Sequence, residues 1–433
     1  MPGSGDSLND RAWEYLFEQH KILDIIEYQD YFDIDASSIK KIREPRLMTK
    51  FDHAVNLPKV FRKNKLTILP VTRSRYVIGR FNCYKGVDYT HNQEHVEVNF
   101  PSDVLQSIDY QNLYSESSAL HCAFVCGMID DILGEPAYFT VSGRMSSKDI
   151  NFDIDTIDGK TMPLHIKNAQ IEIDAGFESK NYFMVIEAKR ERVEDFIIRQ
   201  LYYPFRLWKE KLNKTVLPVF FTYSNDVFSF FIYNFKVLHS YNSLSLVGQR
   251  NYVIGHEPIG LDDIHTLFIQ TKCVPEPKIP FPQADELLRV VDLIGLLAER
   301  DLTKEDITLN YAFTSRQTSY YTNAAIYLGL VEKYVDSGTD DISYTLTKAG
   351  RKILSMPYKR KYLTLASAII QHRPFYEVLK AYFSNGVPPT KSEVVTILKD
   401  IGLYEVRSNS TFERRAQTVI KWVNWILDLS NPS

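Results

Sequence analysis

Apolar and polar positions alternate along Gln170-Ile-Glu-Ile-Asp-Ala-Gly-Phe-Glu178, and a solid apolar run, Phe183-Met-Val-Ile186, follows the polar break Ser179-Lys180-Asn181. Alternation with period two and a short apolar run, divided by turn residues, predict two strands joined as a β-hairpin. Centring the turn between Lys180 and Asn181 puts position 174 opposite 187 and position 172 opposite 189. Directly opposed side chains share a face of a sheet. Asp174, Glu187, Lys189 and Glu172 are therefore expected to project together.

The same pattern divides the rest of the chain. Residues 1 to about 60 read as helical, and short strands follow at Leu66–Val71, Arg75–Phe81 and His95–Phe100, making an N-terminal α+β module over 1–101 with a candidate role in recognition. Next come a helix (Glu116–Leu133), strands (Ala137–Met145, Asn151–Ile157, Pro163–Lys167), the hairpin, an amphipathic helix (Arg192–Leu212) and two further strands (Thr215–Tyr223, Val227–Phe235). That order predicts an α/β fold with a sandwich core over 102–274. Four prolines between Pro275 and Pro282 mark a linker over 275–283. Beyond it, helices at Asp285–Ala298, Thr303–Tyr311 and Thr314–Leu330 precede a strand at Ile342–Thr347, the plan of a winged helix over 284–357. A similar plan recurs over 358–433, with Lys391–Ile401 and Ser410–Leu427 as its later helices.

Length and charge sharpen this division. A chain of 433 residues exceeds one ordinary core, so two or three domains are expected. The formal net charge is −3, yet from Lys348 onward 14 Lys and Arg face only 6 Asp and Glu. A basic end is expected if that part meets phosphates; a solvated, merely soluble face is the plainer alternative. Cys83, Cys122, Cys126 and Cys273 show no disulfide framework and no metal-site pair, and Cys122 and Cys126 fit a buried helix face. The start carries no signal-peptide pattern and no stretch reaches the length of a membrane span, so a soluble, cytoplasmic protein is expected with no membrane partner.

The hairpin carries the chemistry. Two neighbouring carboxylates repel unless a cation lies between them, and hard oxygen ligands suit Mg²⁺. A lysine beside them can orient water or stabilise charge on a phosphate in transition. The competing reading is a surface hairpin laced by ion pairs such as Glu172 with Lys189. Glu-x-Lys also occurs at Glu178–Lys180 and Glu276–Lys278, but only Glu187–Lys189 ends an apolar strand opposite an aspartate.

With Asp174, Glu187-Ala-Lys189 and the following Asp195-Phe-Ile-Ile-Arg-Gln-Leu-Tyr-Tyr-Pro-Phe-Arg206, the chain resembles the PD-(D/E)XK nucleases, and more closely type II restriction endonucleases. Leu57–Gly79 and Ser410–Trp425 are similar to terminal parts of such enzymes. The resemblance implies Asp174, Glu187 and the carbonyl of Ala188 as Mg²⁺ ligands, Lys189 acting on water or phosphate, and products with 5′-phosphate and 3′-hydroxyl ends. Glu116, on the helix before the sheet, would complete the set; a helix N-terminal carboxylate favoured by the dipole is the even alternative. Gln200 would position the nucleophile or the scissile phosphate. Relatives with that glutamine carry a tyrosine four positions later, where this chain has Pro204, and the Pro-Asp pair is replaced by Ile173-Asp174.

These readings lead to a sequence-specific, Mg²⁺-dependent endodeoxyribonuclease that cuts double-stranded DNA in defence against foreign DNA. No P-loop is present, so no nucleotide cofactor is expected. Whether a homodimer cuts both strands stays open. Arg144, Arg190, Arg192, Arg199 and Arg206 surround the hairpin in sequence as candidate phosphate contacts. Base reading is assigned to Ser315, Arg316, Gln317, Ser319 and Tyr320, and phosphate contact to Arg414, Arg415 and Lys421. A winged-helix regulator with a structural α/β core is the main competitor, and a repair or RNA-directed nuclease the third reading.

Overall fold

The computed structural model describes residues 7–430 apart from 93, 312 and 336–340. The N-terminal part opens with helices α1 (Leu8–His20) and α2 (Ile22–Gln29), strand β1 (Tyr31–Asp35) and short helices α3 (Ala36–Lys40), α4 (Pro45–Thr49) and α5 (Lys59–Lys63). Strands β2 (Thr67–Pro70) and β3 (Arg75–Gly79) complete an antiparallel sheet in the order β1-β3-β2. Ser7 and Asp10 cap α1 reciprocally, and its apolar face brings Trp13 and Phe17 against Phe61. The expectation of helix throughout this stretch fails at β1. Tyr31–Asp35 pairs along all of β3, and that ladder outweighs the helical context.

The core begins earlier than expected. Strands β4 (Tyr84–Gly86) and β5 (His95–Val98), counted with the N-terminal module from sequence, belong to it: β4 pairs with a later strand and β5 forms an edge of the main sheet. Helices α6 (Glu116–Val125) and α7 (Met128–Leu133) follow, then strands β6 (Tyr138–Ser146), β7 (Asp149–Asp155), β8 (Thr161–Lys167), β9 (Gln170–Glu178), β10 (Tyr182–Lys189) and β11 (Asp195–Ile197). Helix α8 (Arg199–Lys211) and strands β12 (Thr215–Ser224), β13 (Val227–Phe235) and β14 (Leu244–Ile254) close the set. Seven strands form one mixed sheet in the order β5-β14-β13-β12-β10-β9-β6, with β10–β12 and β14–β5 parallel. Residues of β10 alternate between two cores: Phe183 and Val185 pack with α8 and the β7–β8 hairpin, Met184 and Ile186 with α6 and α7. Both faces are thus covered, so the central strands are apolar throughout.

Past helix α9 (Leu261–Gln270) the proline-rich stretch is no free linker. Phe281 is buried against Tyr327 and Phe375, and Glu276 accepts from the Tyr327 hydroxyl and the Arg373 amide. Helix α10 (Leu287–Leu296), strand β15 (Leu302–Thr303), helices α11 (Lys304–Asn310) and α12 (Ser315–Tyr327) and strands β16 (Val331–Val335) and β17 (Ile342–Leu346) follow, the strands pairing as β15-β17-β16. Helices α13 (Lys348–Leu354), α14 (Tyr358–Ile370), α15 (Arg373–Asn385), α16 (Lys391–Ile401) and α17 (Asn409–Asp428) end the chain. The second winged-helix plan is corrected here, because no strand lies beyond Leu346 among the described residues. Its last helix is a core element: Val419, Trp422 and Ile426 are buried, and the Trp422 indole donates to the Ala284 carbonyl. The molecule is mixed α/β with a helical C-terminal region, and no helix among the described residues is long and apolar enough to cross a membrane.

Candidate active site

The hairpin forms in the expected register. Phe183 opposes Glu178 and Ile186 opposes Ala175, so the next positions on are Glu187 and Asp174. The ladder ends there, and the Asp174 carboxylate accepts the Ala188 backbone N–H at 2.7 Å. Glu187, 6% exposed, accepts from the Lys189 ammonium at 2.5 Å and from the Gln200 amide at 2.5 Å. Lys189 also donates to the Ala188 carbonyl at 3.0 Å. Gln200 reaches the site because it lies in the first turn of α8, whose inner face packs on the sheet. All these side chains, with Glu116 at the start of α6, open into one cleft of about 610 Å³.

Crowding of acids in this half-dry place moves their titration. Burial first, then the charge of Glu116, raises Asp174 to about 6. Burial likewise raises Glu187 to about 7 against the pull of Lys189, with Asp174 adding repulsion. Glu116 is raised, mainly by burial. Burial works against the charge of Lys189, but Glu187, Glu116, Asp52 and Asp174 outweigh it and hold the ammonium well above its usual range. Acids that resist ionisation around a fixed cation are a site that would take more positive charge.

That demand has an outlet in the oxygens present. Among the described residues no group of three or more His, Cys, Asp or Glu side chains closes on a metal position. Mg²⁺, however, keeps several waters and uses only one or two carboxylates. Glu187 and the Ala188 carbonyl already converge on a cation, the Lys189 ammonium, with Asp174 on the adjoining amide. The donors are hard oxygens only, the type that suits Mg²⁺, Ca²⁺ or Mn²⁺ and not a softer metal.

Other expected residues fall elsewhere. Glu172 does not pair with Lys189: it opposes Arg144 on β6 and binds it at 3.2 Å, both exposed, on the rim of the same cleft. Lys189 instead takes Glu187, two residues back on its own strand, where the side chains share a face. Of the five arginines near the hairpin in sequence, Arg144 and Arg199 line the cleft. Arg190 is buried 3.9 Å from Glu299, Arg192 lies over the Tyr89 ring, and Arg206 donates to the Tyr202 hydroxyl and the Asn151 carbonyl.

None of the residues assigned to base or phosphate contact in the C-terminal region lines the cleft. Ser315 and Arg316 are exposed at the start of α12, and Arg316 donates to the Tyr320 hydroxyl. The Gln317 amide oxygen accepts the Thr314 N–H as part of the helix cap, and Ser319 donates back to the Ser315 carbonyl. On α17, Arg414 donates to Thr411, Arg415 is half-buried, and Lys421 is tied to Glu286 at 2.8 Å.

Sequence reasoning missed Asp52. It follows α4 in the N-terminal module, lines the cleft, and lies 3.5 Å from both Arg199 and Lys50. Burial opposes its ionisation, but Lys50, Lys189 and Arg199 keep it below the usual carboxylate range. Its loop is clamped to the core: the Ile197 N–H donates to the Asp52 carbonyl, and the Ala54 N–H to the Asp195 carboxylate. No sequence spacing announces such a residue, since it lies far from the hairpin along the chain. A second cavity, of about 740 Å³, is lined by Asp226, Phe228 and Ile254 at one end of the main sheet and by α14, with both partners of the Lys361–Asp226 ion pair on its wall, and holds none of these groups.

Three families match successive parts of the chain: Domain of unknown function (DUF6996) over residues 10–78, Domain of unknown function (DUF6997) over 79–253 and Domain of unknown function (DUF7226) over 289–431. The first ends one residue short of the end of β3, and the second takes in β4 and β5 with the core. No curated protein and no solved structure matches the chain.

Proposed function

We propose that this protein is a Mg²⁺-dependent endonuclease that hydrolyses phosphodiester bonds of double-stranded DNA, with a PD-(D/E)XK-like sandwich as its catalytic core and the α10–β17 unit as a winged helix. One observation carries the reading. Asp174 and Glu187, both raised by burial, meet Lys189 and the Ala188 carbonyl in an open cleft at the end of a hairpin. A structural ion pair needs one acid for one base; here Glu187, Glu116 and Asp174 crowd Lys189, while Asp52 is shared with Lys50 and Arg199.

In this reading Asp174, Glu187 and the Ala188 carbonyl hold Mg²⁺, which supplies positive charge at the phosphate and acidity to water. Lys189 keeps its proton and stabilises the negative charge that grows on the phosphoryl oxygens. Gln200 fixes the Glu187 carboxylate through its amide, orienting it without adding charge. Glu116 and Asp52 set the field in which Lys189 stays charged. Restriction of foreign DNA, a cytoplasmic setting and a homodimer remain within the same proposal.

Incubation of the protein with unmethylated phage DNA and Mg²⁺ tests it. Discrete fragments are expected, lost on chelation and in Asp174→Ala. Intact DNA at all Mg²⁺ concentrations overturns the reading and favours the regulator with a structural core. Cleavage confined to damaged, branched or RNA substrates moves it to the repair or RNA-directed class.

A further inference from the structure

The cleft above Asp174 and Glu187 has a second wall, and the N-terminal module builds it. Glu44, Arg46, Thr49 and Lys50 from α4 and its flanks, with Arg73 from the β2–β3 loop, line the same cavity as the carboxylates. Arg46, Lys50 and Arg73 are exposed. Neighbouring arginines of the module are committed: Arg43 to Glu305, Arg75 to Asp33, Arg80 to Glu27. Among the described residues Arg46 and Arg73 have no carboxylate partner, and Arg144, paired with Glu172, lines the same cavity from the core.

An acidic floor repels a polyanion. Cations on the rim lower that barrier, and planar guanidinium groups suit phosphate oxygens in particular. The wall is also held in place. The Asp52–Ala54 loop directly after α4 is bonded to β11 through Ile197 and Asp195, which fixes Arg46 and Lys50 relative to the hairpin.

We propose that residues 44–73 form a jaw that grips the phosphates flanking the scissile bond, with Arg46, Lys50 and Arg73 as the contacts. Backbone affinity at the reaction centre then comes from the N-terminal module and not from the basic C-terminal end. This assignment rests on the nuclease reading and deepens it.

Anisotropy titrations of a random-sequence DNA duplex at several salt concentrations test the jaw, using the full chain carrying Asp174→Ala so that the duplex stays intact. Adding Arg46→Ala/Arg73→Ala is expected to weaken binding roughly tenfold and to flatten the salt slope by about 2, near 0.9 for each lost phosphate contact. Arg46→Lys/Arg73→Lys is expected to keep the slope, which separates charge from fold. Arg414→Ala/Arg415→Ala is expected to change the slope less than the jaw pair does. If the jaw pair binds unchanged while the unsubstituted protein cleaves DNA with Mg²⁺, the jaw alone is overturned. A protein that neither binds nor cleaves DNA overturns the nuclease reading and the jaw with it. Tighter binding to an RNA duplex of the same sequence overturns DNA as the gripped polymer.

Discussion

The two basic regions of this protein differ in what their charges meet. From Lys348 onward the excess of Lys and Arg is large, yet Lys359 is bound to Glu257 and Asp263, Lys361 to Asp226, and Lys421 to Glu286 and Asp285. Those pairs tie the helical region to the core and to itself, and none of the cations from Lys348 onward lines the cleft. The wall over 44–73 carries fewer cations, but Arg46 and Arg73 lack carboxylate partners among the described residues and face the carboxylates across one cleft. Net charge along a segment therefore says how much positive charge exists, while the fold says which of it lies at the cleft.

The largest expected effect separates chemistry from both basic regions. Asp174→Ala, Glu187→Ala and Lys189→Ala should each lower the cleavage rate by about a thousandfold or more, while duplex affinity stays within a few-fold. Single-turnover assays beside binding titrations read this directly; near-normal cleavage in any of the three removes that residue from the site.

Next in size is the seam that holds the C-terminal region. Lys361 is nearly buried against Asp226, so Lys361→Ala leaves a carboxylate without its cation and should cost about 3 kcal/mol of stability. Lys421→Ala breaks a more exposed pair and should cost under about 1 kcal/mol. Denaturant melts that rank the two in reverse order would break the picture of Lys361 as a clamp.

The same seam should respond to pH. Asp292 of α10 accepts from Ser224, Asn225 and the Arg192 N–H of the core, and burial raises it to about 7 from 3.8. Between those values the folded protein retains a proton that the unfolded chain has released. Stability should therefore fall as pH rises through that window and level off above it, by up to about 4 kcal/mol. Asp292→Asn should flatten the slope in unfolding midpoints measured across the window.

The smallest effect belongs to the rim. Glu172 and Arg144 form an exposed pair, so Glu172→Gln should change the cleavage rate by no more than about three- to fivefold, far less than Asp174→Asn. Equal losses would make Glu172 a primary ligand.

The hairpin was legible from sequence because its signal is local. Alternation in 170–178, a polar turn and an apolar run set which residues oppose one another, and the observed pairs through Ile186 and Ala175 follow that count. Helices α10, α11, α12, α16 and α17 were legible for the same reason, their polar caps and apolar stripes lying within one segment, whereas α13, α14 and α15 were not marked out. Glu172 illustrates the limit, since its neighbour on β6 decides its partner. The strand β5 was assigned to the wrong unit because four alternating residues do not say which sheet edge they will join.

By itself, then, the sequence determined the elements with strong periodicity, the hairpin register and the grouping of Asp174, Glu187 and Lys189. Only the tertiary structure decided that Glu187 binds Lys189 and Gln200, that Asp52 comes to the same cleft, and which cations are free to meet a ligand. The reason is physical. Side-chain direction along a strand follows from backbone geometry over a few residues, whereas burial, ion pairing and titration depend on charges brought together from segments far apart in the chain.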